Sequence, residues 1–182
     1  MTNGTGQSAL KPSVLAARMV VYATAFLIFI LGLVPAAFHH AFLFTGLHKL
    51  GDAIFGSFGS KCPHIGITLF TSGIISYFIC SLWLVIVGKG PFVEFDPPRE
   101  FVATGPYRWM RNPVAASLIV TGFGEAIFFQ SAGILFFMLL ALPLAHLQVT
   151  KIEEPRLRQR FGESYEAYCR MVNRWLPQPP KN

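Results

Sequence analysis

The residues fit for chemistry fall into three groups. The first closes a basic loop, residues 88–112, with the run Tyr107-Arg108-Trp109-Met110-Arg111-Asn112-Pro113. Five prolines (Pro91, Pro97, Pro98, Pro106 and Pro113) restrict this stretch, because each fixes φ at about −65°. Pro113 after Asn112 suits the first turn of a helix. Free backbone N–H groups at that helix start, with Arg108 and Arg111 beside them, suit a carboxylate or phosphate group. The plainer reading of the same arginines is contact with lipid headgroups.

The second group is Gly122-Phe123-Gly124-Glu125, inside an apolar run. An ionisable residue there is costly and is a candidate catalytic group by default. The two glycines permit close approach by a helix or a ligand. The alternatives are that Glu125 snorkels from near a helix end or is held neutral by a partner. Glu125 lies 13 residues after Asn112, roughly 20 Å along a helix. It cannot grip the same small group as Asn112, but it reaches the far end of a long substrate.

The third group is His146, Thr150, Glu153 and Glu154, spaced i, i+4, i+7 and i+8. On a helix these lie within an arc of about 100°. They form a polar stripe facing either the bundle interior or water. His146 is a candidate base, although a lone histidine is more often a satisfied buried one. The adjacent carboxylates oppose the dipole at the end of their helix, and Pro155 is expected to break that helix just after them.

The elements that must position these groups are membrane helices. The chain has 182 residues, is 53% hydrophobic and only 13% charged, where a soluble domain carries about 25% charged residues. Mean hydropathy is +0.49. A soluble enzyme and a disordered chain are both excluded as working classes. Charge-free apolar runs cover Met19–Phe38 and Ile65–Val87, and residues 112–150 carry one charge, Glu125. As one helix, that last stretch would reach about 58 Å, against a bilayer core of about 30 Å. It must fold back. Gln130-Ser131 is the most polar point near its middle, so helices are predicted over 113–129 and 132–150. Residues 39–63 are expected either to lie in the interface or to contribute part of a fifth span.

An all-α integral membrane protein of four, possibly five, transmembrane helices follows. The segment before the first span, the 88–112 loop and the C-terminal segment carry 2, 4 and 7 of the 15 basic residues. The positive-inside rule makes these three cytoplasmic. Residues 1–18 are too polar, and the run from Met19 too long, for a cleaved signal peptide. Residues 155–176 form an amphipathic tail that Gly162 divides, read either as a membrane-surface helix or as a lid. Three cysteines, Cys62, Cys80 and Cys169, imply no disulfide framework. Cys62-Pro63-His64 with His39, His40 and His48 lacks compact ligand spacing, so no metal is expected. Basic residues at a membrane edge do not suit nucleic acid.

The loop Thr104-Gly-Pro-Tyr-Arg-Trp-Met-Arg-Asn-Pro113, an apolar hairpin, and Glu153-Glu-Pro-Arg…Trp175-Leu-Pro177 together resemble the isoprenylcysteine carboxyl methyltransferase family and its bacterial relatives. Those relatives are similar to the phospholipid N-methyltransferases. The resemblance covers residues 88–177, which would be the cofactor-binding core of a single domain spanning 1–182, with residues 1–87 as N-terminal spans. It implies an S-adenosylmethionine-dependent methyltransferase of a bacterial inner membrane. The implied substrate is lipophilic and enters from the surrounding lipid. Arg111-Asn112-Pro113, Gly122 and Glu153-Glu154 would surround the cofactor. Arg111 or Arg108 would pair with its carboxylate, and Glu153 or Glu154 with its ammonium or ribose. Tyr107, Tyr165 and Trp175 would cover the adenine or face the sulfonium. Glu125 or His146 would be the base for an amine or hydroxyl acceptor. Ala115 and Ser117 stand where the family usually has Tyr and Gly. Two rivals are an NADPH-dependent sterol-reductase-like enzyme and a non-catalytic membrane scaffold or transport component.

Overall fold

A computed structural model of the protein describes residues 17, 21–22, 24–56, 61–89 and 99–180. The described residues are mostly helical and contain no strand. Three helices are long and apolar enough to cross a membrane: α1 (Thr24–Phe44), with a π-helical turn at Ile28–Leu33, then a later helix Lys61–Gly88, and the helix that begins at Ala132. Between the first two lies the short amphipathic α2 (His48–Phe55), so α3 is Lys61–Gly88. A shorter apolar helix, α4 (Pro113–Phe128), precedes α5 (Ala132–Gln148). A π-helical turn, Val149–Glu153, leads from α5 into α6 (Glu154–Phe161), followed by α7 (Glu163–Met171).

Two sequence expectations need correction. The first span does not stop at Phe38: its helix runs on through His39 and His40 to Phe44. Its expected start at Met19 falls outside the described residues. Pro155 does not break the helix after Glu154. The π-turn precedes it, the Glu154 N–H bonds to the Val149 carbonyl, and Pro155 falls in the first turn of α6. A proline there lacks an N–H that the turn does not need. The interruption comes at Gly162, whose φ of 54° favours glycine. Among the described residues 39–56 there is no fifth span; α2 has 8 residues. The hairpin turns where expected, at Gln130-Ser131, and the Ser131 side chain caps α5 by accepting from the Ile134 N–H.

Antiparallel α3 and α4 pack with almost no space between them. A Cβ on Gly66 would strike Phe128, and one on Gly73 would strike Thr121 and Ser117. One on Gly124 would lie 2.9 Å from the Gly66 carbonyl oxygen. Without a hydrophobic driving force between helices in lipid, such backbone approach is what holds them together. These contacts set the register, which places Pro113 level with Ser81. On the other side α4 meets α5, where Gly122 faces Met138. At the end of the bundle away from Pro113, α1 and α2 pack against the α4–α5 hairpin. Phe38 packs on Phe136 and Phe137, His39 Nδ1 bonds Ser131 Oγ at 2.8 Å, and Gly51 abuts the Gln130 carbonyl.

The helix lengths differ. The 28 residues of α3 reach about 42 Å and the 16 of α4 about 24 Å, less than a bilayer core of about 30 Å. With Pro113 level with Ser81, the last seven residues of α3 overhang the start of α4. The loop docks on this overhang. Trp83 Nε1 donates to Thr104 Oγ1 at 3.2 Å, and the Trp83 indole lies against Gly105. Gly105 has φ +58° and no room for a Cβ. Gly105→Ala is therefore expected to expel the indole and strain the turn, costing about 1–3 kcal/mol. A red-shifted tryptophan emission and a lowered melting temperature in detergent check this; unchanged values would refute it.

Candidate functional site

The site is built where α4 begins. Pro113 opens the helix, and the Asn112 side chain does not cap it. Asn112 Nδ2 donates instead to the Arg174 carbonyl at 3.1 Å. The Arg111 backbone N–H donates to the Asn173 carbonyl at 2.8 Å. Further along, the Gln178 N–H donates to the Trp109 carbonyl at 2.9 Å. The segment after α7 is thus bound as a strap across residues 109–112.

Glu154 is the centre of the charge. Its side chain is 3% exposed and receives three guanidiniums. Arg174 grips both oxygens, Nε to Oε1 at 2.6 Å and Nη2 to Oε2 at 3.0 Å. Arg111 Nη1 approaches Oε1 at 3.1 Å, and Arg158 Nη2 approaches Oε2 at 3.3 Å. Burial, the largest single effect, pushes the Glu154 carboxyl up. The Arg174 hydrogen bond and the charges of Arg111, Arg174 and Arg158 outweigh it and hold the carboxyl below its usual range. Arg111 also donates to Cys169 Sγ at 2.7 Å. Its side chain is 10% exposed, and its buried Nε has no hydrogen-bond partner among the described residues.

Aromatic residues wall this cluster. Tyr168 donates its hydroxyl to the Tyr107 carbonyl at 2.6 Å. Tyr165, Tyr168 and Val172 pack with Phe101, Leu157 and Phe161. Burial first, then the neighbouring charges of Cys80, Glu153 and Tyr168, drive the Tyr107 hydroxyl far up. Tyr165 is driven up the same way, burial first and then Cys169 and Glu154. Both phenols are neutral at any physiological pH. A groove of about 170 Å³ is lined by Tyr168 with Phe101, Met171, Val172 and Arg108 among others.

Of the residues singled out in the sequence, Arg111, Asn112, Pro113, Glu154, Tyr107 and Tyr165 come together here. Glu153 is exposed, close enough for its charge to bear on Tyr107. Arg108 lines the groove rather than joining Glu154. Gly122 and Glu125 are not brought in, since they lie about 14 and 18 Å along α4 from Pro113. Gly122 is packing surface against Met138, and Glu125 is buried with Oε2 unpartnered. His146 is tied to the strap, its Nδ1 accepting from Trp175 Nε1 at 3.1 Å. Indole N–H only donates, so the ring's Nδ1 lone pair is in use. Ser117, in place of the usual glycine, is a small buried residue beside Gly73, bonded through Oγ to the Pro113 carbonyl at 2.7 Å. Nothing in the structure explains Ala115.

Sequence reasoning missed Arg174, Arg158 and Cys169. Arg158 had a readable signal, its i+4 spacing from Glu154. Arg174 follows the last helix in an irregular, bent segment without periodicity.

The fold and this cluster define an all-α integral membrane protein with a charged, aromatic-walled site at one end of its bundle. The chain belongs to the phospholipid methyltransferase family, whose model matches residues 64–164, more than half its length. It is accordingly a membrane methyltransferase acting on lipid-like substrates, and members of that family use S-adenosylmethionine. No curated protein and no solved structure is significantly similar to the chain. The match takes in α3, α4, α5 and Glu153-Glu154, and stops before the strap.

Proposed function

We propose that the protein is an S-adenosylmethionine-dependent methyltransferase, similar to the isoprenylcysteine carboxyl methyltransferases. In this reading it acts on a lipophilic carboxylate, thiol or amine at the cytoplasmic face of a bacterial inner membrane. The observation that carries the reading is the buried Arg111 Nε–H with no acceptor. A buried, unanswered charged donor is costly, and a ligand carboxylate answers it. Arg111 would hold that carboxylate, the start of α4 adding N–H groups. Glu153 would take the ammonium or ribose, and Tyr107 and Tyr165 would flank the flat base. Bound there, the donor supplies an electrophilic methyl group on a sulfonium.

The chain's own contribution is orientation and exclusion of water. The strap and α7 cover the cluster from one side, and α3's overhang carries the loop on another. A carboxylate or thiolate acceptor needs no base. Glu125 remains for the far end of a long acceptor. His146 serves as base only after releasing Trp175. The family match speaks for methyl transfer and against the reductase reading.

Purified protein in nanodiscs should bind S-adenosylhomocysteine saturably by calorimetry. Arg111→Ala should weaken that binding at least tenfold, about 1.5–3 kcal/mol for a hydrogen bond to a charged group. Absence of saturable binding by the wild type would overturn the reading.

A further inference from the structure

Glu154 is engaged on every side by guanidiniums. A carboxylate offers about four lone-pair sites; three are taken by hydrogen bonds, two from Arg174 and one from Arg158, and Arg111 sits against Oε1 as an ion pair at 3.1 Å. A group held by three cations in this way orients them. Its tightest partner, Arg174, lies ten residues beyond the family match. Arg174 is held in turn by a strap fastened at Asn173, Arg174, Trp175 and Gln178. Both the main chain and the side chain of Arg111 end on this assembly, one on Asn173 and the other on Glu154. What stays without a partner is the buried Nε of Arg111.

We propose that Arg174 is a positioning residue of the donor site, acting through Glu154 to fix Arg111 with its free edge presented to the donor's amino-acid carboxylate. The donor-binding unit in this proposal takes in the strap as far as Gln178, beyond the residues 64–164 that the family model matches. This inference rests on the proposed methyltransferase reading and refines it. The planar fork of Arg174 spans both oxygens of Glu154, which an ammonium cannot do. With that clamp removed, Glu154 swings toward Arg158, which is 41% exposed, and draws Arg111 with it.

The test uses two probes on the full-length protein in nanodiscs. S-adenosylhomocysteine carries the amino-acid carboxylate; 5′-methylthioadenosine has the same nucleoside but lacks it. Arg174→Ala should weaken the first at least tenfold, in line with a lost charge-assisted contact, and leave the second unchanged. Arg174→Lys should recover part of the loss. General damage to the fold would weaken both probes together, and that result overturns the proposal, as does wild-type affinity for both. Should Arg174→Ala fail to fold, Arg174→Lys carries the same comparison, with an expected loss of several-fold for the carboxylate probe only. If the wild type binds neither probe, the methyltransferase reading itself fails and this inference falls with it. Binding by the wild type with indifference to position 174 removes only the positioning role.

Discussion

Replacing Glu154 with glutamine should destabilise the protein by about 3–4 kcal/mol, the scale for breaking a buried ion pair by removing one partner. The wild-type carboxylate is 3% exposed and answers Arg111, whose side chain is 10% exposed. An amide of the same shape leaves that guanidinium buried with no counter-ion. The other two arginines contribute less, because they are 29% and 41% exposed and water screens them. The strap should come loose as well, since its side-chain clamp is the Arg174–Glu154 pair.

The same residue sets a pH dependence. The folded-state pKa of Glu154 lies below the ordinary 4.5. Its stabilising contribution is therefore fully present above 4.5 and is lost as pH falls through the lower, folded-state value. Melting curves in detergent between pH 3 and pH 7 provide the check. The wild type should lose stability at the acid end, and Glu154→Gln should lack that part of the slope. A variant within about 1 kcal/mol of wild type at pH 7, with the same acid profile, would show that Glu154 does not hold this cluster together.

Gly124→Ala should be far more damaging than Gly122→Ala, although the two glycines are two residues apart. A methyl on Gly124 meets only backbone: the Phe70 nitrogen, the Gly66 carbonyl at 2.9 Å and the Leu69 carbonyl carbon at 2.9 Å. Backbone in a helix cannot turn aside, so α3 and α4 must separate. Overpacking of this kind costs about 1–3 kcal/mol, and parting the helices forfeits neighbouring contacts at Gly66 and Gly73. A methyl on Gly122 meets the flexible end of Met138, which swings away at little cost. Hydrogen exchange of the two variants in detergent distinguishes them: broad loss of protection along α3 and α4 for Gly124→Ala, near wild-type protection for Gly122→Ala. The reverse order would refute the register given for this helix pair.

That contrast shows what the sequence could and could not disclose. Gly122-Phe123-Gly124 was legible as a place of close approach, because glycines in an apolar helix invite it. Which neighbour each glycine meets depends on the rotation of α4 between α3 and α5, a tertiary property. The spans and the Gln130-Ser131 turn were readable because exclusion of charge from lipid is a local, one-dimensional signal. Pro155 misled, because the rule that proline ends a helix holds only for a regular hydrogen-bond register, and the π-turn before it changes that register. Arg111 and Glu154 were expected around one donor from a resemblance; the structure places them in direct contact, Nη1 to Oε1 at 3.1 Å. That the pair is direct, on a carboxylate shared with two further arginines, was not legible. The third arginine joins from an irregular segment 20 residues away, where neither periodicity nor spacing carries information.

The shortness of α4 has a bearing on the energetics of the substrate. A lipid lifted wholly into water forfeits about 0.8 kcal/mol for each methylene, roughly 12 kcal/mol for a sixteen-carbon tail. No ordinary headgroup contact would recover that. Because α4 begins some two turns below the tip of α3, the proposed reaction site would form a sunken shelf. A lipid-like acceptor can stay moored in its leaflet by its tail while only its reactive head rises onto the shelf, so turnover need not include extraction.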